Sequence, residues 1–177
     1  MLHTASAAFL VAVVVQYEPI RKRHRVWIMS AIVFGVIVLA AASTGAIFKP
    51  GAWYETLRKP SWTPPKWAFP VVWSVLYLMI GYAGWLVWTT SGWSMAMIFW
   101  SLQLVANAVW SYLFFGLRRM DIALADIAIL WLSIVGFILT AMVISTLAAL
   151  LFLPYLAWVS TAAALNHSVW RLNIQKV

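Results

Sequence analysis

The sequence predicts an all-α fold: a polytopic membrane protein built as a bundle of five transmembrane helices. Three observations predict it. Of 177 residues, 65% are hydrophobic and only 9% charged, with a mean hydropathy of +0.92. Soluble domains are nearer half apolar and a quarter charged. The few charges gather between long uncharged runs, each close to the ~20 residues that a helix needs to cross a bilayer.

Residues 1–25 read as an N-terminal extension. The apolar run Ala5 to Val15 is too short to span, and it precedes the basic cluster Arg21-Lys22-Arg23-His24-Arg25. A signal peptide carries its cations before the apolar run, so this order argues against one. An interfacial segment whose cations meet anionic lipid is the expectation.

Residues 26–177 form the transmembrane domain, with helices at about 26–48, 67–88, 93–115, 122–144 and 147–170. The first carries no charge from Val26 to Phe48. Its second half, Ala40 to Ala46, is a run of small residues that lets helix backbones approach closely in lipid. Lys49 to Lys66 is a long polar loop, and loops of that length are usually functional when ordered. Pro60, Pro64 and Pro65 stiffen it, while Trp53, Tyr54 and Trp62 suit the headgroup region.

The second helix sets Trp73, Tyr77, Gly81, Gly84 and Trp88 along one face, ahead of a turn expected at Thr89 to Gly92. The third places Gln103, Asn107 and Ser111 on one stripe. Amides facing lipid are costly, so Gln103 and Asn107 are expected to line an interior cavity. Arg118 and Arg119 occupy a short turn before the fourth helix. Asp126, one turn inside that helix, reads as a headgroup-level or surface-paired acid favoured by the helix N-terminus. In the fifth helix Trp158, Ala162 and Asn166 share a face, and Pro154 marks a kink or late start.

Eight cations (Lys49, Arg58, Lys59, Lys66, Arg118, Arg119, Arg171 and Lys176) fall on one side of this topology. The positive-inside rule places loops one and three and the C-terminus in the cytoplasm, although Arg21 to Arg25 pulls the other way.

Several function classes are excluded. The net charge of +8 belongs to the ends of apolar runs, and no nucleic-acid motif accompanies it. There is no cysteine, and His3, His24 and His167 form no ligand spacing with one another or with the four acids, so no metal is expected. Neither a hydrolytic triad, paired carboxylates nor a phosphate loop is present. A small transporter or channel stays as an alternative, disfavoured because no internal repeat divides the chain into related halves.

Three separated stretches carry a resemblance. They are Trp53-Tyr54 with Lys59-Pro60-Ser61-Trp62-Thr63-Pro64-Pro65 and Phe69-Pro70-Val71-Val72-Trp73; Ala106-Asn107-Ala108-Val109-Trp110-Ser111 through Gly116; and Leu153-Pro154-Tyr155-Leu156-Ala157-Trp158 with Leu165-Asn166. Over about residues 30–173 the chain resembles the TspO/translocator protein family, the tryptophan-rich sensory proteins once called peripheral benzodiazepine receptors.

The resemblance implies a homodimeric five-helix bundle with a pocket between helices, covered by loop one. It also implies a membrane receptor, sensor or carrier for porphyrin-type ligands such as protoporphyrin IX or haem, which would be ligand and not required cofactor. Carried over by motif, Tyr54, Trp73, Gln103, Asn107, Trp158, Ala162 and Leu165 are the expected ligand contacts. Tyr77, on the face of Trp73, and Trp62, in the loop, complete the set. An alternative activity, light- and oxygen-dependent porphyrin degradation, would make Trp73 and Trp158 the catalytic pair. The sterol motif of animal members needs a Tyr shortly before the terminal Arg, and none lies close enough to Arg171. Specific cholesterol binding is therefore not expected, which favours a bacterial inner membrane over a mitochondrial outer one.

Overall fold

The computed structural model describes residues 2–174, with side chains from Arg25 onward. Residues 1–33 and 34–177 form two separate units. The first is the leading part of helix α1 (Leu2–Ile47), which is helical from Leu2 without interruption. It runs through residue 25, the expected boundary between the N-terminal extension and the transmembrane domain. Ala, Leu, Lys and Arg are strong helix formers, and the one breaker, Pro19, does not end the helix. Side chains of Arg21 to His24, and with them the expected lipid contact, lie outside the described residues.

The remaining elements are α2 (Ala52–Glu55), α3 (Ala68–Ser91), α4 (Met95–Ser111), α5 (Met120–Ala141), α6 (Thr146–Leu151) and α7 (Leu153–Leu172). A π-helical turn, Tyr112–Gly116, extends α4. Among the described residues there is no strand. Five segments are long and apolar enough to cross a membrane: Arg25–Ile47, Ala68–Ser91, Met95–Gly116, Met120–Ala141 and Thr146–Leu172.

Two boundaries differ instructively from the sequence reading. The turn expected from Thr89 is helix through Ser91. The Thr89, Thr90 and Ser91 hydroxyls donate to the carbonyls of Trp85, Leu86 and Val87, so these polar side chains are satisfied without leaving the helix. The chain turns only at Gly92, whose φ of 62° is the left-handed conformation that glycine tolerates. The fifth span is interrupted at Phe152, between α6 and α7. Pro154 lacks the N–H that would continue the helix, so a new one starts there with proline in its first turn.

Within residues 34–174 the helices pack as a closed ring, and specific contacts give its order. Phe34 of α1 lies against Trp88 of α3 and Trp100 of α4, with ring centroids 6.3 and 4.9 Å apart. α3 meets α7 antiparallel through Phe69 with Trp158 and Trp73 with Tyr155. α7 meets α5 through Asn166, whose Nδ2 donates to Met120 O, and through Ser160, which accepts from Trp131 Nε1. α5 meets α4 where Gly136 receives the Phe99 ring. Ile80, Ala83, Ile134, Phe137, Phe152 and Tyr155 form the sealed centre, each without exposed surface. Outward positions are apolar too, among them Leu78, Leu132, Leu139 and Val143. In water that surface would be prohibitive; in lipid it is the expected one.

Candidate ligand-binding site

A polar chain crosses the middle of the bundle. Tyr77 Oη on α3 donates to Asn107 Oδ1 on α4 at 2.7 Å. Asn107 Nδ2 donates to Tyr155 Oη on α7 at 3.2 Å, and that hydroxyl donates to Gln103 Oε1 at 2.9 Å. Gln103 Nε2 ends the chain on the Trp100 carbonyl at 2.9 Å. Gln103 and Asn107 are thus buried, as their spacing required, but their amides are bonded to neighbouring side chains and do not line an open cavity. The reason is Tyr155, which fills the space between them. Its motif was legible in the sequence, but its role was missed. Nothing in its spacing on α7 shows that its hydroxyl reaches two amides on α4.

Aromatic rings surround this chain. Trp73 stacks on Tyr77, with centroids 5.3 Å apart and planes at 29°, and meets the edge of Tyr155 at 6.1 Å. Trp158 meets Phe69 edge-on at 5.7 Å. Trp158 also borders a groove of about 450 Å³, together with Val72, Val75, Met79, Pro154 and Ala157. The groove is almost wholly apolar, and its volume is in the range of small-molecule sites. Ala162, one turn beyond Trp158, is half-buried against the core.

A second cluster closes the loop-one end. Leu57, Phe114, Met120, Ala123, Leu165 and Val169 are its buried members. Tyr54 lies edge-on to Phe114 and Phe115, and Trp53 to Phe114. Lys59 Nζ stands 4.4 Å above the Tyr54 ring, and Arg118 lies 5.7 Å from that of Trp53. Burial, and then the charge of Glu55, push the Tyr54 phenol above its ordinary pKa, so it stays neutral. Lys66 Nζ donates to Glu55 Oε1 at 2.7 Å, which holds that carboxyl below its usual range. Both partners are exposed, so this tie is weak. The firmer anchor is Asn173, whose side chain binds both the N–H and the C=O of Arg58.

The expected site residues therefore fall into three places. Trp73, Tyr77, Gln103 and Asn107 converge in the interior. Trp158 and Ala162 belong to the α3–α7 seam, and Tyr54 and Leu165 to the lid cluster. Trp62 is half-exposed in loop one and is brought to none of them. Asp126, read as a headgroup or surface-paired acid, has one carboxylate oxygen buried without a hydrogen-bond partner. It is Asp121 that pairs with Arg119, at 2.7 Å. Among the described residues no group of His, Asp and Glu is placed to hold a metal ion.

Residues 28–171 match the profile of the TspO/MBR family. The chain belongs to the TspO/MBR family. It is 43% identical over 155 residues to Protein CrtK of Rhodobacter capsulatus, covering 82% of this chain and 95% of that one. It is 40% identical over 134 residues to the tryptophan-rich sensory protein of Cereibacter sphaeroides, covering 76% and 85%. Human translocator protein is 39% identical over 126 residues, covering 68% and 75%. With five apolar spans, this TspO/MBR member is an integral membrane protein. The quoted motifs all lie within the matched region.

Proposed function

We infer that this protein is a membrane sensor or carrier that binds flat, apolar ligands of the porphyrin type at the seam of α3 and α7. The observation that carries the reading is the placement of Trp158. Its indole borders the 450 Å³ apolar groove and meets Phe69, one turn of α3 before the Trp73 that stacks on Tyr77. A flat ring system needs apolar walls, aromatic faces and a few polar groups to fix it. The family, with relatives named as sensory and translocator proteins, supports a binding role. The loop-one cluster is the natural cover of such a site. Two copies of the chain form the working unit in this reading. Loops one and three and the C-terminus face the cytoplasm of a bacterial cell, following their cations.

Protoporphyrin IX should quench the tryptophan fluorescence of the purified protein. Trp73→Phe with Trp158→Phe should weaken binding about ten-fold, the factor given by losing roughly 1.4 kcal/mol of ring contact. An unchanged titration in the double variant would remove the site assignment. Illuminating the complex separates binding from enzymatic degradation. Loss of the porphyrin absorption band that requires both oxygen and Trp158 would favour the enzyme.

A further inference from the structure

We propose that the π-helical turn at the end of α4 is a latch for loop one, which seats Tyr54 in its π form and releases it on rewinding to α-helix. The turn shows in its hydrogen bonds. Leu117 N donates to Tyr112 O, five residues back, at 2.8 Å, and Arg119 N donates to Leu113 O, six back, at 3.0 Å. An α-helix makes each such bond four residues back. Single π-turns inside α-helices are rare and gather at functional positions.

The aromatic rings show what this one does. Trp110 stacks on Phe114, with centroids 5.1 Å apart, and meets Phe115 edge-on at 5.8 Å. Those residues lie four and five places beyond it. In an α-helix the fourth stays on the face of Trp110, whereas the fifth has turned away by about 140°. The wider π-turn brings both rings to one side. Tyr54 lies edge-on to both, at 6.1 and 5.5 Å, and Trp53 meets Phe114 at 6.2 Å. Rewinding to α-helix carries Phe115 away from Tyr54 and removes half of its seat.

A second departure follows in the chain. Arg118 has a φ of 58°, a left-handed conformation that residues other than glycine adopt only at a cost. Its guanidinium lies 5.7 Å from the Trp53 ring. Backbone strain persists where the surroundings hold it, and here Trp53 lies across the strained residue. Gly116 lets the turn close, since a Cβ there would stand 2.9 Å from Tyr112 and 3.2 Å from Phe48. Loop and turn therefore share one equilibrium: seating the loop holds the turn in its π form, and lifting the loop lets it relax. Asn173 anchors the same loop separately, at Arg58. The latch does not depend on the identity of the ligand beneath.

Full-length protein in nanodiscs tests it without a ligand. Arg118→Val and Arg118→Gly both remove the guanidinium, but only valine resists a φ of 58°. Trypsin should cut after Arg58 about ten-fold faster in the valine variant than in the glycine variant, the ratio expected for one strained residue. Tyr54→Ala should in turn speed hydrogen exchange of the Leu117 and Arg119 amides several-fold, because coupling between two elements is reciprocal. Each variant is first checked for native helix content. Equal cleavage of the valine and glycine variants overturns the latch. So does exchange at Leu117 and Arg119 that Tyr54→Ala leaves unchanged. Either result leaves the binding reading standing, and a failure of protoporphyrin IX to bind leaves the latch standing.

Discussion

The Asn173 carboxamide pairs with the backbone of Arg58 as a second strand would. Its Oδ1 accepts from Arg58 N at 3.0 Å, and its Nδ2 donates to Arg58 O at 2.9 Å. The same Nδ2 donates to Val169 O at 2.7 Å, which fixes the side chain to the last turn of α7. Loop one is thereby tied to the far end of the chain by a residue that is 2% exposed. Geometry gives this clamp its weight, since a loop backbone buried against a helix end must find partners for both its polar groups.

Asn173→Ala should therefore free the loop. Two backbone groups lose their partners, at about 1–3 kcal/mol for each that stays buried. Trypsin acting after Arg58 in nanodisc-embedded protein should cut many times faster than in the unaltered chain. Equal cleavage rates would show that the aromatic cluster alone holds the loop.

The exposed tie behaves differently. Lys66 holds the Glu55 carboxyl below its ordinary pKa. Its contribution is therefore fully present above about 4.3, the unperturbed value, and is lost as pH falls through the lowered one. Glu55→Gln should leave the trypsin rate at pH 7.5 within about two-fold, because exposed pairs are screened. A large increase would assign the anchoring to Glu55 and away from Asn173.

Much of this was legible in the sequence, and the rest was hidden for definable reasons. Charge-free runs revealed five spans because the bilayer sets a length that side chains cannot evade. Gln103 and Asn107 announced a buried stripe because amides cannot face lipid. Asn173 carries no signal in the sequence, since a side chain that clamps a backbone 115 residues away leaves no local pattern. The groove is likewise a property of two helices together, and no periodicity within either encodes it.

Tyr155 is the member of the polar chain with the most to lose. One hydroxyl serves Gln103 as donor and Asn107 as acceptor. Tyr155→Phe leaves the ring in place and abandons an amide oxygen and an amide N–H. Tyr77→Phe abandons only Asn107 Oδ1. With interhelical hydrogen bonds in membranes worth about 0.6–2 kcal/mol, Tyr155→Phe should cost more than Tyr77→Phe, and the two should be non-additive through Asn107. Thermal unfolding of both single variants and the double in one detergent measures this. Strict additivity would show that Asn107 does not couple them.

Gly84 supplies the sharpest steric prediction. Trp100 Nε1 donates to Ile80 O at 2.9 Å, a bond buried between α3 and α4. To reach that carbonyl the indole lies across Gly84, and a Cβ there would clash with its Nε1 and Cε2. Trp100 is 3% exposed and packs against Phe34, so it has nowhere to retreat. Gly84→Ala must then either break the hydrogen bond or part the helices. Overpacking typically costs about 1–3 kcal/mol, and an orphaned buried carbonyl about 1–3 kcal/mol more. Gly35, on α1, has no atom within 4 Å of its would-be Cβ, so Gly35→Ala tests helix propensity alone. That change should be neutral or stabilising by up to about 1 kcal/mol. Melting temperatures of the two variants should therefore move apart. If Gly84→Ala melts with the unaltered protein, the close approach of Trp100 to α3 is not part of the folded state.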